Sequence, residues 1–406
     1  MASAPQPRPV ALTVAKYMLK ARESMRFEDD PDRLQYIRFG YFGEIGGLLS
    51  SVKKAGRDRL QAAQNDLAAE ELGDALWYLT IAAHLLGIPA DALGEQCILV
   101  LREEFGESKK APAPPITFRQ IDGLIETQRD EDTIPRPIQL GKLALSAGVL
   151  AEMSRASLES MAAPKREAYF GQLLSELAKT CSSFNLSLED VALGNLEKTA
   201  SRWPSEQKRE FPLFDEGFPE HEQFEREFTI EFIERGEGQN KHVVQRLNGV
   251  YIGDRLTDNS NEPDDYRFHD VFHLAYVAHL GWSPVLRALL KRKRKSDHAK
   301  DENDDGARAA IIEEGIATWI FDHAKKHAYY EGIQPGKLDY GLLKQIQGMV
   351  RGYEVDQCKL WQWELAILEG FKVFRELRDH RGGSVVVNIT EGTLTFNKPP
   401  KEAETK

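Results

Sequence analysis

Cysteine is scarce in this chain of 406 residues, which contains only three. Cys97, Cys181 and Cys358 lie far apart, and no two of them form a C-x-x-C pair. This spacing excludes a disulfide framework and a cysteine-rich zinc site. It also favours a reducing, cytoplasmic compartment.

Long apolar runs are missing as well. The longest, from Leu76 to Ile88, includes His84. It is too short for a membrane span, which needs about 20 predominantly apolar residues. The proline-rich start of the chain has no apolar segment of the kind found in signal peptides. We therefore expect no membrane association and no secretory signal.

Positive charge is outnumbered by negative charge. The 53 Lys and Arg residues against 64 Asp and Glu residues give a net charge of −11. This balance argues against a protein that coats nucleic acid or an anionic membrane, although it permits a local basic pocket for a phosphate. The chain is 41% hydrophobic, so it can bury a core, and its length predicts two to three domains.

Apolar residues recur at helical spacing through the first block of the sequence, residues 1–110. A proline-rich linker at 106–115 ends this block, and a second helical block follows at 117–205. The helices predicted for the first block are Val14–Ser24, Arg33–Lys54, Ala62–Leu86 and Ala90–Phe105.

The second block has the pattern of a degenerate copy of the first. Gly43–Leu48 aligns with Gly148–Met153 at a shift of 105, and Glu71–Asp74 aligns with Tyr169–Gln172 after a gap of seven. The helices have the same order and similar spacing in both blocks, as expected for a tandem repeat. The alternative is that any two helical hairpins align this well.

The third block, residues 223–406, mixes strands and helices, and the acidic stretch 214–223 marks its boundary. Alternation predicts a strand at Glu227–Glu234, and His242–Ile252 can supply another. Residues 291–306, basic and then acidic, are expected to form an exposed loop. The other elements predicted are helices at 266–280, 307–327, 338–350 and 356–378 and a final hairpin at 384–396 with its turn at 391–392.

The sequence therefore predicts a mainly α-helical protein. Its front half is a tandem helical module, in which the two blocks pack together as a pseudo-dimer. An α+β domain with a small antiparallel sheet follows.

Carboxylates stand beside an apolar stripe in the first block. Glu71 and Asp74 share one helical face, with Glu70 adjacent, and Glu44 lies on the preceding helix. If two antiparallel helices bring them together, the result is an oxygen-only cluster suited to Mg²⁺ or Mn²⁺. Three basic residues further along the chain can meet phosphate oxygens: Lys53, Lys54 and Arg57. The alternative is that these charges form helix caps and surface pairs.

Three segments, Gly43–Leu48, Lys53–Ala55 and Glu70–Leu79, resemble the MazG-like branch of the all-α nucleoside triphosphate pyrophosphohydrolases. The stretch E-L-G-D-A-L-W-Y-L, which begins at Glu71, is the most specific part. That family carries an E-x-x-E pair and an E-x-x-D pair, whose acids hold magnesium against the substrate phosphates. Residues 185–204 resemble its trailing helix, in which an Asn and a Lys help to hold the nucleotide.

The resemblance covers residues 10–204, and neither block is complete by itself. The first block has Gly47 in place of the family's second acid and lacks the trailing Asn and Lys, which the second block supplies as Asn195 and Lys198. We therefore expect a composite site. The competing account is decay, in which three of the four acids leave a weakened or inactive site.

The resemblance implies metal-dependent hydrolysis of a (d)NTP by water to a (d)NMP and pyrophosphate, and family members generally form homo-oligomers. Glu44, Glu71 and Asp74 would be the metal ligands, and Glu70 would support the metal or orient water. Lys53 and Lys54 would neutralise phosphate charge, while Arg57, Asn195 and Lys198 would contact the nucleotide. A nucleotide-binding sensor without catalysis is the alternative.

Histidines and acids form a second candidate metal site in the third block. His269 and His273 are spaced to share a helical face, and Glu313 and Glu314 follow 40 residues later. Asp270 stands where a zinc-protease H-E-x-x-H motif has its Glu base, which argues against a protease. The choices left are a transition-metal site, a different hydrolase centred on His269, His273 and Glu314, or buried hydrogen-bonded pairs.

The order of these residues, from Tyr266 through the basic loop to Ile312–His323, resembles the C-terminal domain attached to some MazG-like proteins. The resemblance carries no function for this domain.

Overall fold

The computed structural model describes residues 10–26, 30–58, 64–108, 110–128, 134–204 and 213–399. The chain divides into two compact units, residues 1–200 and 201–406. The described residues form fifteen α-helices and one five-stranded antiparallel sheet, which lies in the second unit. A mainly helical fold with a small sheet towards the C-terminus is therefore confirmed.

Helices alone build the described part of the first unit, around one apolar core. Its helices are α1 (Val14–Glu23), α2 (Arg33–Asp58), α3 (Gln64–Leu85), α4 (Ala90–Glu104), α5 (Phe118–Thr127), α6 (Arg136–Glu152), α7 (Arg155–Ser160), α8 (Ala163–Ser183) and α9 (Leu188–Arg202), whose last two residues belong to the second unit. The predicted helices of the first block are all present, with ends that differ by a few residues.

The two halves of the first unit begin in the same way. Thr13 caps α1, and Thr117 caps α5 in a capping box with Gln120. The two threonines face each other across an isolated antiparallel bridge. Each half thus starts with a threonine-capped helix anchored against the start of the other.

Helix packing between the halves is reciprocal. A Cβ at Gly73 on α3 would lie 3.1 Å from the Asn195 Cβ on α9, and one at Gly171 on α8 would lie 2.9 Å from the Cys97 backbone nitrogen on α4. Glycine permits both close approaches because it has no side chain. Each half therefore packs its fourth long helix against the third long helix of the other.

The second unit combines helices with the sheet. Its strands are β1 (Glu227–Arg235), β2 (His242–Leu247), β3 (Val250–Leu256), β4 (Gly382–Asn388) and β5 (Thr393–Asn397). Its helices are α10 (Asp270–Leu280), α11 (Pro284–Leu289), α12 (His298–Asn303), α13 (Ala307–Lys325), α14 (Tyr340–Met349) and α15 (Leu360–His380). Compared with the prediction, α10 and α15 each begin four residues later, because short 3₁₀ turns precede them.

The sheet has the order β3-β2-β1-β4-β5, with β1 in the centre. Phe228, Ile230 and Phe232 alternate as buried residues along β1, as predicted for a strand with one covered face. They belong to the same core as the apolar residues of α10 and α15. Gly370 on α15 lies close to Phe272 and Ala275 on α10, where a larger residue would crowd the two helices.

The segment 242–252 forms a hairpin rather than a single strand. β2 ends at Leu247 and β3 begins at Val250, so the turn consists of Asn248 and Gly249. Both turn residues have positive φ, of 51° and 80°. An Asn-Gly pair suits such a two-residue turn because both residues tolerate positive φ. The prediction of one strand overlooked this signal.

The prediction of an exposed loop at 291–306 holds only in part: residues 295–299, 302 and 303 are exposed, but the segment is not all loop and not all on the surface. This segment contains α12, and Arg294 is fully buried. The Arg294 guanidinium pairs with Asp305 at 2.6 Å and with Glu354 at 2.7 Å. Arg294 is therefore paired with an acid of its own segment and with one 60 residues away, which the local charge pattern alone did not reveal.

The second unit also includes the acidic stretch placed at its boundary. Asp215 is buried and accepts a hydrogen bond from the Arg287 guanidinium at 3.1 Å. The three cysteines are free and buried. Among the described residues no single helix has the length and apolar composition to cross a membrane; α3 and α4 reach them only as a pair bent by 118°.

Candidate functional site

The first unit brings α2, α3 and α9 together around a group of acids. Lys198 on α9 forms an ion pair with Glu70 at 3.1 Å and a close ion pair with Asp74, both on α3. All three side chains are partly exposed. A helix of the second block thus supplies a cation to acids of the first block.

Asn195 binds the same acid from the same helix. Its side-chain nitrogen donates to Asp74 Oδ1 at 3.0 Å, while its side-chain oxygen accepts a hydrogen bond from the Tyr17 hydroxyl at 2.8 Å. Asn195 and Tyr17 are both buried. Because both ends of the amide are used, the orientation of Asn195 is fixed and holds Asp74 in place.

Glu44 on α2 completes the carboxylate cluster, which we define as Glu44, Glu71 and Asp74. Glu44 is hydrogen-bonded to the Glu71 side chain. Burial raises the pKa of Glu44 to about 8, with further contributions from the nearby charges of Asp74 and Glu71. Glu44 therefore holds a proton at neutral pH, although the Lys198 ammonium pairs with Asp74.

Gly47 explains how Glu71 comes this close to α2. A Cβ at position 47 would lie 2.4 Å from Glu71 Oε2, so the Glu71 carboxylate occupies the space that a side chain would need. The MazG-like pattern has an acid at this position. In this chain Glu71 can lie against α2 only because glycine, and not an acid, stands at position 47.

The predicted basic residues lie further along α2. Lys53 and Lys54 are exposed, and within the described part of the chain neither forms an ion pair. Lys53 is nine residues after Glu44, which is about 13 Å along a helix. The side chain of Arg57 lies outside the described residues. The structure therefore groups Glu44, Glu70, Glu71, Asp74, Asn195 and Lys198, and leaves the lysines of α2 apart.

The donors of the carboxylate cluster suit a hard divalent cation. They are carboxylate oxygens, which Mg²⁺ and Mn²⁺ prefer, and no sulfur or imidazole belongs to the cluster as described. Burial is the main cause of the raised pKa of Glu44, and the charges of Asp74 and Glu71 raise it further although Lys198 lowers it. A divalent cation would offset both the burial of Glu44 and the repulsion from these neighbouring acids, so the residues present fit the metal that the resemblance implies.

The second unit gathers His269, His273 and Glu314 from α13 and the start of α10. One ligand atom from each lies within 4.8 Å of the others. The ring of His269 stacks on Tyr266, with 4.3 Å between the ring centroids. Asp270 Oδ1 lies 3.0 Å from His269 Nε2, and the second oxygen of Asp270 accepts a hydrogen bond from Gln245 on β2.

Glu313 has a different place from Glu314. It is fully buried, lies 2.8 Å from His273 Nδ1, and accepts a hydrogen bond from the backbone of Val285. Burial by itself lowers the pKa of His273, but the charges of Glu313 and Glu314 outweigh it and raise the pKa well above its usual range. Glu313 thus orients His273 from the side opposite Glu314.

The sequence did not indicate three residues that position the side chains of the two candidate sites. Tyr17 contacts Asn195, Tyr266 stacks on His269, and Gln245 binds Asp270. Tyr17 lies on the buried face of α1, where nothing distinguishes it from an ordinary core residue. Gln245 lies inside a strand and reaches α10 only through the fold of the sheet. A signal for such residues appears only once the chain is folded.

A polar cleft of about 1440 Å³ also lies in the second unit, between the β2–β3 hairpin and the segment 257–267. Arg267 and Arg381 line it, but both are already paired with acids: Arg267 and Arg381 each contact Glu234 and Asp265. Most of its positive charge is therefore neutralised within the protein.

The comparisons with known proteins concern the second unit. The family model of the MazG C-terminal domain matches residues 209–400. The resemblance predicted for the third block is thereby confirmed, and the match supports a relation to the MazG family and so to a nucleotide-related hydrolase family. No curated protein and no solved structure matches the chain.

Proposed function

We propose that the first unit is a metal-dependent nucleoside triphosphate pyrophosphohydrolase that converts a (d)NTP and water into a (d)NMP and pyrophosphate. One observation carries this proposal: Asn195 and Lys198 of the second block bind Asp74 of the first. The MazG-like pattern needs these residue types together, and each block alone has only part of them. The reciprocal packing of the halves supports a composite site over decay.

In this proposal Glu44, Glu71 and Asp74 hold Mg²⁺ or Mn²⁺. The cation supplies Lewis acidity at the phosphate oxygens and stabilises the charge of the pyrophosphate leaving group. Asn195 keeps the Asp74 carboxylate in position, while Glu70 shares Lys198 with it. Lys198 can then exchange a carboxylate partner for a phosphate oxygen when the substrate enters.

In this proposal Lys53, Lys54 and Arg57 attract the negatively charged phosphates of the substrate. The exposed lysines need no partner within the described protein, so they remain open to the phosphates of a bound nucleotide. Arg57, on the same helix, would extend this basic end. Their contribution is attraction of the substrate, and it weakens with salt.

The proposal includes self-association of the first unit. Phe42 on α2 and Leu145 and Val149 on α6 are exposed, with Leu145 71% accessible. The Phe42 ring lies 3.7 Å from where a Cβ of Gly148 would be, so Phe42 reaches α6 between positions 145 and 149. A second copy of the chain would remove this apolar surface from water.

Incubation of the full chain with a panel of NTPs and dNTPs tests the reaction. The proposal expects a nucleoside monophosphate and pyrophosphate in equal amounts with Mg²⁺ or Mn²⁺, and neither product with a chelator. Nucleotide binding without any product would favour the sensor. Release of inorganic phosphate and a diphosphate would contradict the proposed bond cleavage.

A further inference from the structure

We propose that His269, His273 and Glu314 bind a divalent transition metal of the zinc class in the second unit. This site is independent of the carboxylate cluster and of the reaction proposed for it. The three residues come from two separate helical segments, α13 and the start of α10, and their ligand atoms lie within 4.8 Å of one another.

Both histidines present the same ring nitrogen to the proposed ion. His269 Nδ1 lies 2.9 Å from the backbone oxygen of Tyr266, and His273 Nδ1 lies 2.8 Å from Glu313 Oε1. Each Nδ1 therefore donates a proton, which leaves Nε2 of each ring to bind the ion. His269 Nε2 lies 3.0 Å from Asp270 Oδ1, so this carboxylate stands beside the same position. A carboxylate or carbonyl behind a histidine fixes metal-binding histidines in this way.

The surroundings of His273 Nε2 give independent support for a metal at this position. His273 is 1% exposed, and this nitrogen has no hydrogen-bond partner among the described residues. Glu314 Oε1 lies 3.5 Å away, which is longer than a normal N–H···O hydrogen bond. Two atoms that share a tetrahedral ion at about 2.0–2.2 Å lie about 3.3–3.6 Å apart, so this separation fits a shared metal.

The donor set selects the class of metal. Two imidazoles and one carboxylate favour Zn²⁺, Mn²⁺, Fe²⁺ or Co²⁺ over Mg²⁺, which prefers oxygen ligands alone. The arrangement also keeps an open side, because the Glu314 side chain is 44% exposed while His273 is buried. Three protein ligands and one solvent-facing position are typical of metal sites that bind water or a small oxyanion.

The competing arrangement has no metal. In it His273 is an imidazolium between the carboxylates of Glu313 and Glu314, and the charges of these acids are satisfied by the ring. The raised pKa of His273 fits that arrangement, whereas the 3.5 Å between Nε2 and Glu314 Oε1 is longer than a normal N–H···O hydrogen bond. Metal titration distinguishes the two arrangements.

Metal titration of the chelator-stripped full chain tests the site. Visible absorption with Co²⁺ should give one site with nitrogen ligation. Calorimetry with Zn²⁺ should show the same single site in Glu71→Gln, in which the carboxylate cluster has lost a ligand. Glu314→Gln should weaken binding by at least about tenfold, because it removes a charged ligand at a partly exposed position. His269→Ala should abolish the Co²⁺ absorption band.

Three variants serve as controls. Glu302→Gln and His298→Ala change exposed residues of α12, and Glu71→Gln removes an acid of the first unit, so all three should keep the Co²⁺ band. Circular dichroism should show wild-type helix content in every variant. Absence of the Co²⁺ band in the wild type, or an unchanged band in both Glu314→Gln and His269→Ala, would overturn the proposal.

Discussion

Lys198 forms an ion pair with Asp74, although 124 residues separate them in the chain. The lysine belongs to the second helical block and the aspartate to the first. Because Asn195, one helical turn earlier, hydrogen-bonds the same carboxylate, two residues of one helix hold one acid of another. This relationship links the two blocks at the proposed site.

The composite site predicts that loss of Lys198 reduces hydrolysis. Lys198→Met removes the ammonium that Glu70 and Asp74 share, so the acids repel one another and a phosphate partner is lost. We expect a fall of at least about tenfold in kcat/KM for pyrophosphate release, which is about 1.4 kcal/mol. Lys142→Met, which changes an exposed residue of α6, is the matched control and should retain activity. Equal activity in both variants would contradict the composite site.

Alanine substitutions at the neighbouring glycines Gly46 and Gly47 of α2 test whether the position of Glu71 matters for activity. Gly47→Ala would place a Cβ against the Glu71 carboxylate and displace it, so both metal affinity and hydrolysis should fall. Gly46→Ala meets nothing within 4 Å and should leave activity unchanged. It should also stabilise the helix by about 0.5–1 kcal/mol in thermal unfolding. Wild-type activity in Gly47→Ala would show that the position of Glu71 is unimportant.

The raised pKa of Glu44 leads us to expect that metal binding depends on pH. Its pKa is raised to about 8 by burial and by Asp74 and Glu71, so a proton competes with the cation at lower pH. The apparent affinity for Mn²⁺ should therefore rise as pH increases towards 8, by about tenfold per pH unit, and then level off. Titrations between pH 6.5 and 9 measure this.

Glu44→Gln is the variant that checks this assignment. The amide cannot titrate, so affinity should be weaker and nearly independent of pH over the same range. A slope that persists in Glu44→Gln would assign the pH dependence to another group.

The buried ion pairs of Arg294 predict a large effect on stability. Arg294→Met leaves the carboxylates of Asp305 and Glu354 without their partner, and removal of one member of a buried pair costs about 3–5 kcal/mol. The unfolding transition of the second unit should move to lower temperature. Lys295→Met, next to it but exposed, should change the transition little. Similar transitions in both variants would mean that the pairs contribute little.

The exposed apolar residues of α2 and α6 predict self-association. Leu145→Glu places a charge on that surface and should shift the mass measured by light scattering towards a single chain. Glu126→Gln, exposed on α5, should leave the mass unchanged. A wild-type chain that is monomeric at micromolar concentrations would contradict the inference.

Much of the fold follows from periodicity in the sequence. The helices of the first unit and the central strand β1 are regular enough to be read from apolar spacing. The β2–β3 hairpin was missed although Asn248 and Gly249 carry a local turn signal. Arg294 was missed for a different reason: its partner Glu354 is 60 residues away, so nothing local distinguishes a buried arginine from a surface one.

The carboxylate cluster was recognisable because its acids lie in a specific motif. The geometry around it was not, since Tyr17 reaches Asn195 across 178 residues and the place of Glu71 depends on the missing side chain of Gly47. The distinction between Glu313 and Glu314 likewise needed the structure. Adjacent acids in a helix point in different directions, and only packing decides which one is buried.

The most direct measurement of the central claim is the initial rate of pyrophosphate release for the wild type, Glu71→Gln and His269→Ala. All three are assayed with the same nucleotide panel and Mg²⁺ or Mn²⁺. The account predicts activity in the wild type and in His269→Ala, and a loss of at least about a hundredfold in Glu71→Gln, because a metal ligand is removed. Full activity in Glu71→Gln, or a loss in His269→Ala alone, would contradict it.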